Sequence, residues 1–228
     1  MSPARKQRRD DIRFSTPLYT VAEAARFLDV PDSTLGSWVR GGAGRPIVTS
    51  LGAPRGHADI PFVGLVEAMV AVAFRRAGVS MQHIRKALAL LQREVGVEHA
   101  LASKRLYTDG ASILYDYAKR GRDTGFLTVV LTGQGVFTPV IRDYLKRITY
   151  GADSWAARLV LPITAEPLLE VDPRRAFGQP LFIRGGARME DVIDRFRAGE
   201  SLVDVAKDFD LRVEDVEAVI RASLAPAA

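Results

Sequence analysis

Cysteine is absent from this 228-residue chain, and histidine occurs only three times, at His57, His83 and His99. Without cysteine there is no disulfide, no thiolate nucleophile and no cysteine-ligated zinc or iron–sulfur site, which suits a reducing compartment. The histidines form no His-x-x-x-His pair, so neither a metal nor a cofactor is expected. Long apolar runs are also missing. Those near Phe62–Phe74 and Phe126–Leu131 are short or interrupted, and the first 15 residues are charged. Neither a membrane span nor a secretory signal is expected, and the chain reads as soluble and cytoplasmic. No Gly-x-Ser-x-Gly elbow occurs, and Gly133-Gln-Gly135 lacks the Lys-Ser/Thr that would complete a phosphate loop, so it reads as a turn. Asp109, Asp116 and Asp123 recur every seven residues as the polar side of a helix would. An enzyme is not expected.

What the chain has is apolar content for one substantial core or two small ones, at 47% hydrophobic and 26% charged residues. Its net charge of +5 is unevenly placed. Residues 1–60 carry 9 basic and 6 acidic groups, residues 61–150 carry 13 and 7, and residues 151–228 carry 10 and 14. A basic front attracts a polyanion, whereas an acidic back suits a different surface. Solubility alone is the plainer account of the same charges.

The clearest local logic lies in Tyr19–Arg40. Thr20 with Glu23 spells a capping box, and Val21, Ala24, Ala25 and Leu28 mark one face of a helix over 21–28. Asp29-Val30-Pro31 breaks it. Asp32 or Ser33 can then cap a second helix whose inner side is Leu35, Trp38 and Val39. The pair reads as a helix-turn-helix, or otherwise as an ordinary helical hairpin. In the first case the outward residues Asp32, Ser33, Thr34, Ser37 and Arg40 face a DNA major groove, where Asp32 meets the phosphate backbone unfavourably unless its charge serves the cap. After Gly41-Gly-Ala-Gly44, residues Arg45–Thr49 can extend as a strand, and Leu51–His57 as a loop tip carrying Arg55 and His57. That order is a winged helix-turn-helix with Arg45 and Arg55 as flanking phosphate contacts. Helices follow over 61–77, with Phe62, Leu65, Val66, Met69, Val70 and Phe74 inward, and over 81–93, capped by Ser80, with Arg85 and Lys86 outward.

Residues 19–93 resemble the DNA-binding domain of the MerR family. The resemblance rests on the Tyr-Thr-Val-x-Glu-Ala-Ala opening, Thr34-Leu-x-x-Trp38, the wing and Arg75-Arg-Ala-Gly-Val-Ser-Met-x-x-Ile84. It implies a homodimer on near-palindromic double-stranded operator DNA. The family's long dimerisation helix is not matched, because the helix over 97–120 is interrupted at Asp109-Gly110 without sustained heptads.

Further on, a hairpin is expected from Phe126–Leu131 to Val136-Phe137 and a helix near 139–147. Strands are expected at Trp155–Leu161, Leu168–Val171 and Leu181–Ile183. Three short helices then cover 188–197, 201–209 and 212–221. Residues 186–220 hold 10 acidic and 5 basic groups, which argues against nucleic acid there. The run from Leu169-Glu-Val-Asp-Pro through Ile183-Arg-Gly-Gly-Ala-Arg188 to Ala198-Gly-Glu-Ser201 resembles a small domain encoded beside PIN-domain ribonucleases, with Gly186-Ala-Arg188 where that family has Gly-Thr-Arg. Together the two resemblances identify the chain as similar to VapB-type antitoxins. That implies neutralising a cognate PIN-domain toxin, with Arg184 and Arg188 as toxin-binding residues, and repressing the shared operon. The alternative is a stand-alone MerR-like regulator with a sensing or oligomerisation C-terminal part. The expected fold is mainly α with small β elements: a winged helix-turn-helix plus a C-terminal helical domain joined by a small sheet. Its parts are a flexible basic arm (1–15), the MerR-like domain (16–95), a connector with possible dimerisation role (96–165) and a three-helix domain (166–224).

Overall fold

A computed structural model describes residues 10–42, 44–95, 98–106 and 139–224. Helices dominate, with one small sheet: α1 Ile12–Ser15, α2 Val21–Leu28, α3 Asp32–Arg40, α4 Phe62–Arg76, α5 Met81–Val95, a 3-10 turn Ala100–Ala102, α6 Pro139–Leu145, β1 Ile148–Tyr150, β2 Ala156–Val160, β3 Leu169–Val171, a 3-10 turn Ala176–Gly178, β4 Leu181–Phe182, α7 Met189–Arg197, α8 Leu202–Asp208 and α9 Val213–Leu224. This is the mainly α architecture with a small sheet that the sequence predicts. The basic residues Arg5–Arg9, the interrupted helix around Asp109-Gly110 and the hairpin over 126–137 lie outside the described residues.

Helix α4 is the centre of the molecule. Every residue from Phe62 to Phe74 is buried, so the one-sided periodicity expected of it understates its environment. From Phe62 to Phe74 its side chains are apolar on all faces except at Glu67, and such a helix is stable only when surrounded. α1, α2, α5, α6 and β2 do the surrounding. Gly64 lets the chain before the helix press close, since a Cβ there would lie 2.4 Å from the Thr49 carbonyl oxygen. Glu67, 4% exposed, is the charge at the centre. It accepts the Thr49 N–H at 2.7 Å and lies 3.0 Å from His99 Nδ1, which also meets the Thr49 hydroxyl at 2.9 Å. A buried carboxylate without such partners would be strongly disfavoured.

The sheet runs β1-β2-β3-β4, antiparallel throughout, with Ile148 opposite Leu159, Leu159 opposite Val171 and Leu169 opposite Phe182. Strand β1 is a three-residue addition that the sequence pattern does not announce. Leu159, Leu161, Leu169, Val171 and Phe182 are all buried. Beyond the sheet, α7, α8 and α9 pack around Val192, Ile193, Val205, Ala206, Val216, Val219 and Ile220. Ser201 caps α8 by accepting the Asp204 N–H.

Among the described residues, several contacts join the two ends of the chain. The Tyr19 hydroxyl donates to the Gly178 carbonyl at 2.9 Å, and Arg26 lies 3.8 Å from Glu190. A third contact involves Arg13, at the end of the basic stretch expected over 1–15, of which residues 1–9 lie outside the described residues. Residues 12–15 form a helix, and Arg13 is buried between Asp11 and Asp153, to both of which it donates hydrogen bonds. A guanidinium so paired is not available to a polyanion. The Asp11 and Arg13 hydrogen bonds place residues 10–15 against the body.

Candidate nucleic-acid interface

The capping box at Thr20 is present in both directions: Thr20 Oγ1 accepts the Glu23 N–H at 3.1 Å, and Glu23 accepts the Thr20 N–H at 2.8 Å. α2 ends at Asp29 in the left-handed region, whose N–H returns to the helix. The turn through Val30-Pro31 delivers α3. Its N-cap is Pro31, with no side-chain cap. Neither Asp32 nor Ser33 caps the helix as expected, because helical geometry already begins at Asp32, where the acidic side chain faces the positive end of the helix dipole.

Leu35, Trp38 and Val39 are buried against the core, so Ser33, Ser37 and Arg40 are left on the exposed side with Thr34 half-buried. The Ser37 hydroxyl donates to the Thr34 carbonyl at 2.7 Å. The Arg40 guanidinium folds back along the helix over Gly36, where a Cβ would come within 2.6 Å of it. Gly41, at φ 89°, stops the helix in a conformation that disfavours other residues.

Residues 45–49 form no strand. The Ile47 N–H turns back to the Trp38 carbonyl at 3.0 Å, Ile47 and Val48 are buried, and only the Leu51 N–H reaches across the loop to the Asp59 carbonyl. The wing is therefore a loop shaped by side chains. Asp59 organises it: Oδ1 accepts the Leu51 and Ala53 N–H groups at 3.0 and 2.8 Å, and Oδ2 accepts the Ser50 hydroxyl at 2.7 Å. Antiparallel bonding between Tyr19 and Ile60 fixes the loop base. From α5, Arg85 donates to the Gly41 and Arg45 carbonyls at 3.1 and 3.2 Å, so this arginine braces the turn after α3 and is not a free surface charge.

The result is an open concavity of about 790 Å³ between α3 and the loop. Ser33 and Arg40 line one side, and Arg55 and His57 line the other. Thr34, Ser37 and Arg45 are not part of its lining, although Ser37 and Arg45 are exposed beside it. Arg40, Arg45 and Arg55 form no ion pair with any described residue, whereas Arg13, Arg26, Arg76, Arg158, Arg175, Arg188, Arg195, Arg197, Arg212 and Arg221 each do. Three uncommitted guanidinium groups around a serine-bearing helix can take phosphates and base edges. Among the described residues no cluster of potential metal ligands occurs, and no described helix is long and apolar enough to cross a membrane. Arg184 and Arg188 stand apart from this concavity, beyond β4. Arg184 is exposed, and Arg188 lies 3.6 Å from Asp191.

Asp59 is a supporting residue that the sequence pattern does not single out, and Arg85, expected to point outward, is instead committed to Gly41 and Arg45. Burial raises the Asp59 pKa, but the hydrogen bonds from Ser50 and the loop N–H groups outweigh it and hold the carboxyl below its ordinary value of 3.8. A depressed carboxylate contributes stability above its unfolded pKa, lost as pH falls through the folded one. Loop order should therefore persist through neutral pH and fail only below about pH 4. Asp59→Ala should remove that acid limb and cost about 1–3 kcal/mol, since it takes the acceptor from the Ala53 N–H and the Ser50 hydroxyl and leaves the Leu51 N–H only the residue 59 carbonyl. Thermal unfolding as a function of pH, wild type against variant, checks both.

Comparison with known proteins bears on both ends of the chain. Residues 17–88 match the family described as "Putative DNA-binding HTH domain". Residues 169–221 match "Protein of unknown function (DUF433)". A curated protein of Mycobacterium tuberculosis, "Putative antitoxin VapB45", is 42% identical over 217 residues, spanning 87% of this chain and 90% of that protein. The X-ray crystal structure of Rv2018 from Mycobacterium tuberculosis shares the fold with a TM-score of 0.80 at 42% identity, covering 93% of this chain and all of that one. With its N-terminal helix-turn-helix domain and helical C-terminal region, this chain belongs to the VapB-like antitoxin family.

Proposed function

We propose that the chain is a DNA-binding antitoxin that represses its own operon and neutralises a cognate PIN-domain ribonuclease. The observation that carries the DNA half is the concavity where Ser33 and Arg40 of α3 meet Arg55 on the Asp59-braced loop. In this reading α3 enters the major groove, and Ser33, Thr34 and Ser37 meet base edges or phosphates. Arg40, Arg45 and Arg55 hold the backbone on either side. Two copies on a near-palindromic duplex, in the MerR manner, place their recognition helices about 34 Å apart. The C-terminal half takes the toxin through Arg184 and Arg188, either by covering the nuclease surface or by placing one of these arginines against its acidic metal site.

Co-expression with the neighbouring open reading frame tests the assignment. The expected result is a stable complex in which the neighbour's ribonuclease activity is silent and the pair shifts a promoter duplex more tightly than a scrambled one. A neighbour that is not a nuclease, or a chain that purifies alone with a small molecule, would favour a ligand-sensing regulator instead.

A further inference from the structure

Phe177 is 89% exposed, more than any other large apolar side chain among the described residues; Val203 follows at 62%. It lies in the 3-10 turn between β3 and β4 with a left-handed backbone, φ 53° and ψ 35°, and Ala176 before it has φ 44°. Two successive non-glycine residues in that region are costly, and an exposed ring recovers nothing by burial. The turn is nevertheless held firmly. The Arg175 N–H donates to the Asp172 carbonyl and the Gly178 N–H to the Arg175 carbonyl, both at 2.9 Å. The buried Tyr19 hydroxyl donates to the Gly178 carbonyl, and a Cβ on Gly178 would lie 2.8 Å from that hydroxyl. A strained backbone that presents a bare aromatic ring on a rigid base suits a binding anchor whose ordering cost is met before the partner arrives.

The surroundings state the partner's chemistry. From residue 173 to 189 the chain holds four arginines and no carboxylate, whereas residues 190–217 hold ten carboxylates. Arg175 is committed to Glu170 at 2.6 Å, and Arg188 lies 3.6 Å from Asp191. Arg174 and Arg184 are exposed, and neither side chain has a partner among the described residues. A Cβ on Gly186 would lie 3.5 Å from the Arg175 guanidinium, so the turn holding Phe177 and the turn after Arg184 adjoin.

We infer that the Arg174–Gly178 turn is the docking anchor for the ribonuclease. Phe177 enters an apolar pocket on the partner, and Arg174 and Arg184 face carboxylates on the rim of that pocket. The inference rests on the antitoxin reading and adds the element that makes the contact. A long duplex crossing this corner would meet the carboxylates of α7–α9, whereas a compact, acid-rimmed pocket meets only the local positive charge.

The test uses the full chain and the PIN-domain ribonuclease encoded beside it, titrated by calorimetry. Phe177→Ala is expected to weaken the complex about 30-fold or more, as loss of a central aromatic anchor does. Phe177→Trp should stay within about fivefold of wild type, and Arg174→Glu with Arg184→Glu should weaken binding about 10-fold, most at low salt. Phe177→Gly should lose binding while its unfolding temperature is unchanged or raised, because glycine relieves the left-handed backbone. A structural role for the ring requires the reverse. If wild type binds and Phe177→Ala binds within about twofold of it, the docking turn is wrong and the antitoxin reading stands. If wild type binds no such ribonuclease, both fall. If Phe177→Ala instead weakens promoter binding, or changes the sedimentation of the chain alone, the ring serves DNA or a second copy and the inference is overturned.

Discussion

Replacing Arg40, Arg45 and Arg55 together with alanine should weaken binding to the operon's promoter duplex by about 100-fold or more at physiological salt. It should also make the salt dependence shallower by about three units in the log–log slope, near 0.9 for each phosphate that is no longer neutralised. The size follows from how these side chains are held. Each is exposed and without an ion pair among the described residues, so none has to break an internal interaction to bind DNA. Their removal leaves no orphaned carboxylate, and the unfolding temperature should stay nearly unchanged. Arg13 makes the contrast: it is as basic, but its guanidinium is committed to Asp11 and Asp153, and Arg13→Ala should act on stability with little effect on the salt slope. Gel-shift titrations of promoter and scrambled duplexes across a salt series read affinity, slope and specificity together.

The second large effect is expected at Glu67. This carboxylate, 4% exposed within the central helix, is the shared acceptor for the Thr49 N–H and neighbour of His99. Glu67→Ala leaves those groups without it and opens space beside α4, at a cost of about 3–4 kcal/mol. For a chain of this size that lowers the melting temperature by about 6–16 °C. Glu67→Gln keeps an acceptor for Thr49 and presents an amide N–H to His99, whose Nδ1 must then accept in place of donating, and should cost only about 1 kcal/mol. Because Thr49 begins the segment leading into the Asp59 loop, Glu67→Ala should also reduce DNA affinity, which Glu67→Gln should largely preserve. Calorimetric unfolding and the same gel-shift series separate the two variants.

Local signals in the sequence specify the first helical pair. Thr20 and Glu23 mark the start of α2, Pro31 forces the turn, and Leu35, Trp38 and Val39 orient α3, all within about twenty residues. The strands at 156–160, 169–171 and 181–182 are readable for a similar reason, since short apolar runs are a local pattern, although burial alternates strictly only along Leu169–Val171. What escapes a sequence reading depends on partners distant in the chain. Arg13 reads as one more charge of a basic arm until Asp153, 140 residues later, is seen to receive it. The wing is expected as a strand because Ile47 and Val48 are β-formers, but their burial under α3 and the Asp59 hydrogen bonds decide its shape. Arg85 has the spacing of an outward helix position, and only the fold shows it bracing Gly41 and Arg45. Phe177 has the composition of a core residue; its exposure follows from the left-handed turn that Tyr19 supports from 159 residues away.

The division of charge is also sharper in the folded chain. The acidic end is not uniformly acidic, because ten of its carboxylates fall within residues 190–217 while residues 173–189, around β4, hold four arginines and no carboxylate. The chain thus carries two positive faces, one at α3 and the wing and one at the Arg174–Arg188 corner. The first suits a duplex; the second suits a compact acidic partner.

Sedimentation of an equimolar mixture of this chain, the neighbouring ribonuclease and a labelled promoter duplex tests the two-faced account most directly. The expected result is one species containing all three components, with the ribonuclease inactive toward added RNA. Promoter DNA that expels the ribonuclease, or a ribonuclease that stays active while the chain is DNA-bound, would contradict it.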